Sequence, residues 1–149
     1  MESLKVVTHS AKETQKLGML LAKECFKIKQ GRHALVIGLE GDLGGGKTTF
    51  MQGFARGLGI KENITSPTFV LLKMFKLARK NFRRLAHIDA YRLKSARGLK
   101  LLGWDELLSD PANIIVVEWA DKVRAFMPKD RVRITFDYGD KNERKINVS

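Results

Sequence analysis

Gly41-Asp42-Leu43-Gly44-Gly45-Gly46-Lys47-Thr48 sets a lysine and a hydroxyl directly after a glycine-rich run. Glycine costs backbone entropy on folding, so such a run needs a chemical reason. The spacing satisfies G-x-x-x-x-G-K-[ST] in full, and the chemistry it fits is phosphate binding. Glycines let backbone N–H groups turn inward around phosphate oxygens, Lys47 reaches the β and γ phosphates, and the Thr48 hydroxyl ligates magnesium. A helix starting near Lys47 adds its positive N-terminal end. The residues expected around the nucleotide are Asp42, Leu43, Gly44, Gly45, Gly46, Lys47, Thr48 and Thr49.

A metal-bound triphosphate also needs carboxylates. Two acids end apolar runs: Asp89 in "HIDAYRL" and Glu118 in "IIVVEWAD". A carboxylate after a buried parallel strand emerges at the carboxyl edge of the sheet, beside the phosphates. The pattern alone does not rank the two. His87 lies two residues before Asp89 and shares its strand face, where a lone histidine reads as a packed or hydrogen-bonded group. "ITSPTF", Ile64 to Phe69, is a hydroxyl-rich loop before a strand. Such hydroxyls can sense a γ-phosphate, but local chemistry favours a simple turn in which Ser66 and Thr68 satisfy the backbone.

The elements that must carry these residues are legible as an alternation. Ser10 fits an N-cap with Glu13 reaching back, and Leu17, Leu20, Leu21 and Cys25 mark one face of a helix to about Ile28. "ALVIGLE" (Ala34 to Glu40) is a buried strand feeding the glycine run. Phe50, Phe54 and Leu58 follow at helical spacing, with Gly59 as the stop. "SPTFVLLKMFKL" opens a strand at Pro67, and "RRLAHID" (Arg83 to Asp89) is the next, with "ARKN" as the turn between. A helical region over Ser95 to Leu108 ends at Asp110-Pro111; the strand "NIIVVEW" and a short helix, Ala120 to Phe126, follow. "RVRITFDY" and "ERKINV" flank "GDKN" as a closing hairpin. The expected fold is α/β: three layers around a mostly parallel central sheet, with a C-terminal antiparallel hairpin, as a single domain over residues 1–149.

Composition bounds the class. The chain has 44% hydrophobic and 30% charged residues, ordinary for a globular protein. No apolar run has the length of a membrane span, and "MESLKVVTHSAKE" lacks the apolar stretch of a signal peptide. Cys25, the one cysteine, forms no internal disulfide and has no metal-spaced partners, which points to a cytoplasmic setting. The excess of 28 Lys and Arg over 16 Asp and Glu, net +12, favours phosphate-rich partners. It is segregated: Lys73 to Arg84 holds six basic residues and no acid, and Asp105 to Asp121 holds five acids and no Lys or Arg.

"GDLGGGKTTFMQGFARGLG", "SPTF", "HIDAYRL" and "VEWAD", in this order and spacing, resemble the bacterial TsaE (YjeE) family over nearly the whole chain. That family comprises the small ATPases of tRNA threonylcarbamoyladenosine synthesis. The resemblance implies a P-loop fold binding Mg-ATP through Lys47 and Thr48, with Asp89 as the metal-side acid. It implies that Glu118 orients or activates water, that Lys47 and Glu118 are catalytic, and that Thr48, Asp89 and Glu118 form the metal set. It turns Ser66 and Thr68 into a switch-like loop, and leaves Trp119 either beside the nucleotide or in packing or an interface. It further implies weak intrinsic hydrolysis and action on a TsaD–TsaB complex. There TsaD transfers a threonylcarbamoyl group to the adenosine 3′ of the tRNA anticodon, and ATP turnover resets the complex.

Two departures stand out. Gly45 replaces the usual alanine, and "KSARGLK" (Lys94 to Lys100) carries no acid where the family commonly has some. The stretch Lys73 to Arg84 could contact the tRNA backbone or an acidic partner face, although a solvated hairpin is the favoured reading. Two other classes share the phosphate loop: a small-molecule kinase, with Arg79 to Arg97 as its lid, and a passive binder in which nucleotide only stabilises the fold.

Overall fold

The computed structural model describes residues 3–41, 46–64 and 71–149. Asp42, Leu43, Gly44 and Gly45, and the switch candidates Ser66 and Thr68, lie outside the described residues.

Strands β1 (Leu4–Thr8), β2 (Leu35–Gly41), β3 (Leu72–Lys76), β4 (Arg84–Asp89), β5 (Asn113–Glu118), β6 (Val132–Tyr138) and β7 (Arg144–Val148) form one sheet in the order β1-β7-β6-β2-β5-β4-β3. The central strands β6, β2, β5 and β4 run parallel, as the alternation of strands and helices requires. Both margins are antiparallel: β3 folds back on β4, and the β6–β7 hairpin carries β1 at its outer side. β1 is not anticipated by the sequence pattern. Its residues "LKVVT" bury only Thr8 fully, so no apolar face announces it.

Helices α1 (Ala11–Cys25) and α2 (Lys47–Gly57) cover one face. Ser10 Oγ accepts the Glu13 amide at 3.1 Å, and Glu13 Oε1 reaches past Ser10 to accept the His9 amide at 2.6 Å. Between the helices and the sheet lie Phe50, Phe54, Met51, Leu39, Leu85, Ile114, Val116, Ile134 and Phe136, all but inaccessible to water. Phe50 packs edge-on to Phe136 with centroids 5.5 Å apart. The two helices touch backbone to backbone: a Cβ on Gly53 would lie 1.9 Å from the Gln15 carbonyl oxygen, so only hydrogen fits there.

The opposite face carries α3 (Gly98–Leu101), α4 (Trp104–Ser109) and a 3-10 helix, Ala120–Phe126, over a second core of Val36, Ile88, Ile115, Val117, Leu99 and Trp104. The helical region expected over Ser95 to Leu108 is thus two short helices. They break where Gly103 takes φ 85°, a backbone state that ends a right-handed helix.

Candidate nucleotide site

β2 delivers Gly41 to the carboxyl edge of the parallel strands, and α2 starts at Lys47. Gly46 caps that helix with φ 100°, a conformation open to glycine at no steric cost. The free amides and dipole of the first turn of α2 therefore face the cleft, which is the arrangement that holds an anion. Lys47 is buried: its Nζ donates to the Gly41 carbonyl and stands 4.0 Å from the centre of the Trp119 ring.

β4 and β5 pair in parallel so that Asp89 and Glu118 are register partners at that same edge. Glu118 is buried, and its Oε2 lies 2.6 Å from His87 Nε2, with both side chains no more than 3% exposed. Asp89 Oδ1 accepts the Tyr91 amide at 2.9 Å, which fixes one of its oxygens at the start of the loop after β4. Trp119 follows Glu118 with φ 60° and ψ 40°, a left-handed conformation that costs a non-glycine residue of order 1 kcal/mol. That turn aims the indole between Lys47 and Tyr91, whose ring centre is 5.0 Å away. Lys122 Nζ closes the stack 4.5 Å from the Tyr91 ring and donates to the Tyr91 carbonyl at 2.8 Å.

A cleft of about 490 Å³ opens over these groups. Gly46, Lys47, Thr48, Thr49, Glu118 and Trp119 line it, so Thr48 and Glu118, 70 residues apart in sequence, meet in one place. Asp89 is not among the lining residues, although it sits beside Glu118 in the sheet. Two walls were not foreseen in the sequence. One is the β1–α1 junction, His9, Ser10, Ala11 and Thr14, where Thr8 and Thr14 hydroxyls bond at 2.7 Å. The other is the hairpin, through Asn142 and Arg144. The capping motif at Ser10 was the visible signal for the first wall; read alone, it marks only a helix start.

The cleft offers hard oxygen from the Thr48 hydroxyl and the Glu118 carboxylate, with Asp89 the register partner of Glu118 on the neighbouring strand. That suits a magnesium ion that takes its remaining ligands from phosphate and water. Among the described residues no three His, Cys, Asp or Glu side chains cluster as a protein-only metal cage. The residues present therefore fit Mg²⁺ held jointly with a nucleotide, and they fit no structural zinc.

On the other face, Glu40 Oε2 accepts Arg133 Nε at 2.7 Å, and its Oε1 accepts from Arg124 at 3.2 Å. Burial alone would raise the Glu40 carboxyl; the hydrogen bonds and charges of Arg133 and Arg124 outweigh it and hold the pKa below its ordinary value. This clamp ties the 3-10 helix after Trp119 to the two strands beneath it.

The basic stretch Lys73 to Arg84 divides. Lys73 stands within β3 opposite His87 and leans on Phe75. Lys76, Arg79, Lys80, Arg83 and Arg84 surround an open groove at the β3–β4 turn, at the amino end of the parallel strands, the pole opposite the cleft. One acid, Asp110, enters that groove and pairs with Arg84. No helix among the described residues is long and apolar enough to cross a membrane.

Residues 8–146 match the family model described as "Threonylcarbamoyl adenosine biosynthesis protein TsaE". The chain is 36% identical over 149 residues to the tRNA threonylcarbamoyladenosine biosynthesis protein TsaE of Bacillus subtilis, covering 100% of this chain and 87% of that one. It is 33% identical over 146 residues to the protein of the same description from Treponema pallidum, covering 98% of this chain and 100% of that one. The crystal structure of Bacillus subtilis YdiB superposes with a TM-score of 0.73 at 33% identity, covering 99% of this chain and 84% of that one. The phosphate loop, the paired strand-end acids and these full-length matches together make the chain a member of the TsaE family, with its role in tRNA threonylcarbamoyladenosine biosynthesis.

Proposed function

We propose that residues 1–149 act as one Mg-dependent ATPase domain with weak intrinsic activity, which binds and hydrolyses ATP on a TsaD–TsaB complex and so supports its repeated turnover. The observation that carries the reading is the meeting of Lys47, Thr48 and Glu118 in one cleft at the N-terminus of α2. Lys47 leaves the Gly41 carbonyl and the Trp119 ring for the β and γ phosphates, where its charge offsets theirs. Thr48, Asp89 and Glu118 would hold magnesium, which would neutralise charge on the phosphate oxygens. Glu118 orients the attacking water and takes its proton. Trp119 walls the nucleotide side and fills the space between Lys47 and Tyr91. Weak turnover alone is what a switch shows when a partner completes its hydrolytic site. The five cations around the opposite groove suit the tRNA backbone, and a tRNA-modifying role supports a cytoplasmic setting.

The test is ATP hydrolysis by the protein alone and with purified TsaD–TsaB, with Lys47→Ala and Glu118→Ala alongside. The expected outcome is stimulation by the complex that is lost in both variants. Glu118→Ala should lower hydrolysis by about 10²–10⁴-fold while ATP still binds, and Lys47→Ala should lose binding as well. Phosphate found on a small acceptor instead of free in solution would convert the reading to a kinase.

A further inference from the structure

The geometry points to His87 as the positioning residue that sets which Glu118 oxygen faces the reacting water. The inference rests on the reading of Glu118 as the water-orienting acid and adds a partner to it. A carboxylate this deeply buried needs a hydrogen-bond donor, because removing it from water without one is costly. His87 supplies that donor: an ionised carboxylate only accepts, so the ring Nε2–H donates to Oε2 across 2.6 Å.

The direction of approach matters. His87 is the register partner of Val116, two residues before Glu118 on β5, so the ring reaches the carboxylate from beneath the sheet edge, on the core side. Glu118 also lines the cleft, so engaging Oε2 from below leaves Oε1 as the oxygen presented to water. The terminal torsion of a glutamate is broad and roughly two-fold, and nothing in the side chain itself selects one orientation. A bond from a ring fixed on a central strand does select one, since strands hold a site more tightly than loops. Nothing in "HIDAYRL" identifies this partner, because the acid it serves lies 31 residues away.

The experiment compares His87→Leu and His87→Gln in the full-length protein with Glu118→Ala and wild type. ATP affinity is measured with a fluorescent analogue, and hydrolysis in single turnover. His87→Leu should slow hydrolysis by roughly 10- to 100-fold, the usual loss when the support of a functional carboxylate is removed, with ATP affinity unchanged within twofold. His87→Gln, whose amide can reach the same oxygen, should recover to within about threefold of wild type. As a readout independent of activity, ¹⁵N-edited NMR should find the proton on Nε2 of His87, its resonance shifting in Glu118→Ala. Should His87→Leu not fold, the glutamine variant and the NMR signal still decide. Normal hydrolysis by His87→Leu beside an inactive Glu118→Ala would overturn the inference and leave the Glu118 reading intact. Equal slowing in Leu and Gln variants would also overturn it, since ring packing and not the donor would then matter. Normal hydrolysis by Glu118→Ala would remove the underlying reading itself.

Discussion

Glu40 stands one residue before the phosphate loop, yet it looks away from the cleft, toward Arg124 and Arg133. Its carboxyl is held below the ordinary 4.5, so the clamp contributes in full above about pH 4.5 and is lost as pH falls through the lower folded value. Both arginines remain about half exposed, so water screens the pair and the contribution is about 1 kcal/mol. Urea unfolding should therefore show Glu40→Gln less stable by that amount at pH 7, with the gap narrowing as the pH falls below 4.5. A gap that persists in acid would mean the glutamate matters for shape and not charge. This clamp was illegible in the sequence, where Glu40 is merely the acid that ends "ALVIGLE"; its arginines lie 84 and 93 residues on. That Asp89 and Glu118 stand at the carboxyl edge of the sheet was legible, because each closes an apolar strand run; that they are register partners was not. The place of Lys47 at the start of a helix was legible from its spacing to four glycines.

Among the elements, α2 bears the most, since its first turn holds Lys47 and Thr48 and its flank presses on α1. Gly53→Ala must push the Gln15 carbonyl aside, and overpacking of this kind costs roughly 1–3 kcal/mol against about 1 kcal/mol regained in helix propensity. Denaturant unfolding should show a net loss of about 1 kcal/mol, and ATP affinity should weaken with it because the displaced helix carries the phosphate seat. Unchanged affinity would mean that the two ends of α2 move independently. Periodicity gave α2 and the central strands close to their observed ends, as expected where local pattern and burial agree. It did not give β1, whose existence depends on β7 at the far end of the chain. Nor did it divide the segment after "YRL", where one left-handed glycine outweighs an otherwise helical run.

At the scale of the whole molecule the two charged regions sit at opposite poles of the parallel strands, nucleotide cleft at one and basic groove at the other. Lys76 faces Arg84 directly across β3 and β4, a like-charge pair that a sheet tolerates at some cost and that an anion would relieve. Titrating tRNA over a salt series should give a falling log K against log salt. Arg79→Glu with Lys80→Glu should flatten that slope by about 0.7–0.9 for each phosphate no longer neutralised. A slope already flat in the wild type would remove the backbone contact. The sequence showed the charge but not its placement, because only the pairing of β3 with β4 separates Lys73 from the other five. The outermost pair of strands has a mechanical side as well. Leu4 lies opposite Val148, so the start of β1 and the end of β7 sit together at the basic pole. Tension applied between them loads the β1–β7 rungs one after another, like the teeth of a zipper, and not all at once in shear. β1 should therefore peel away at low force while the parallel strands that hold the nucleotide cleft remain under almost no load.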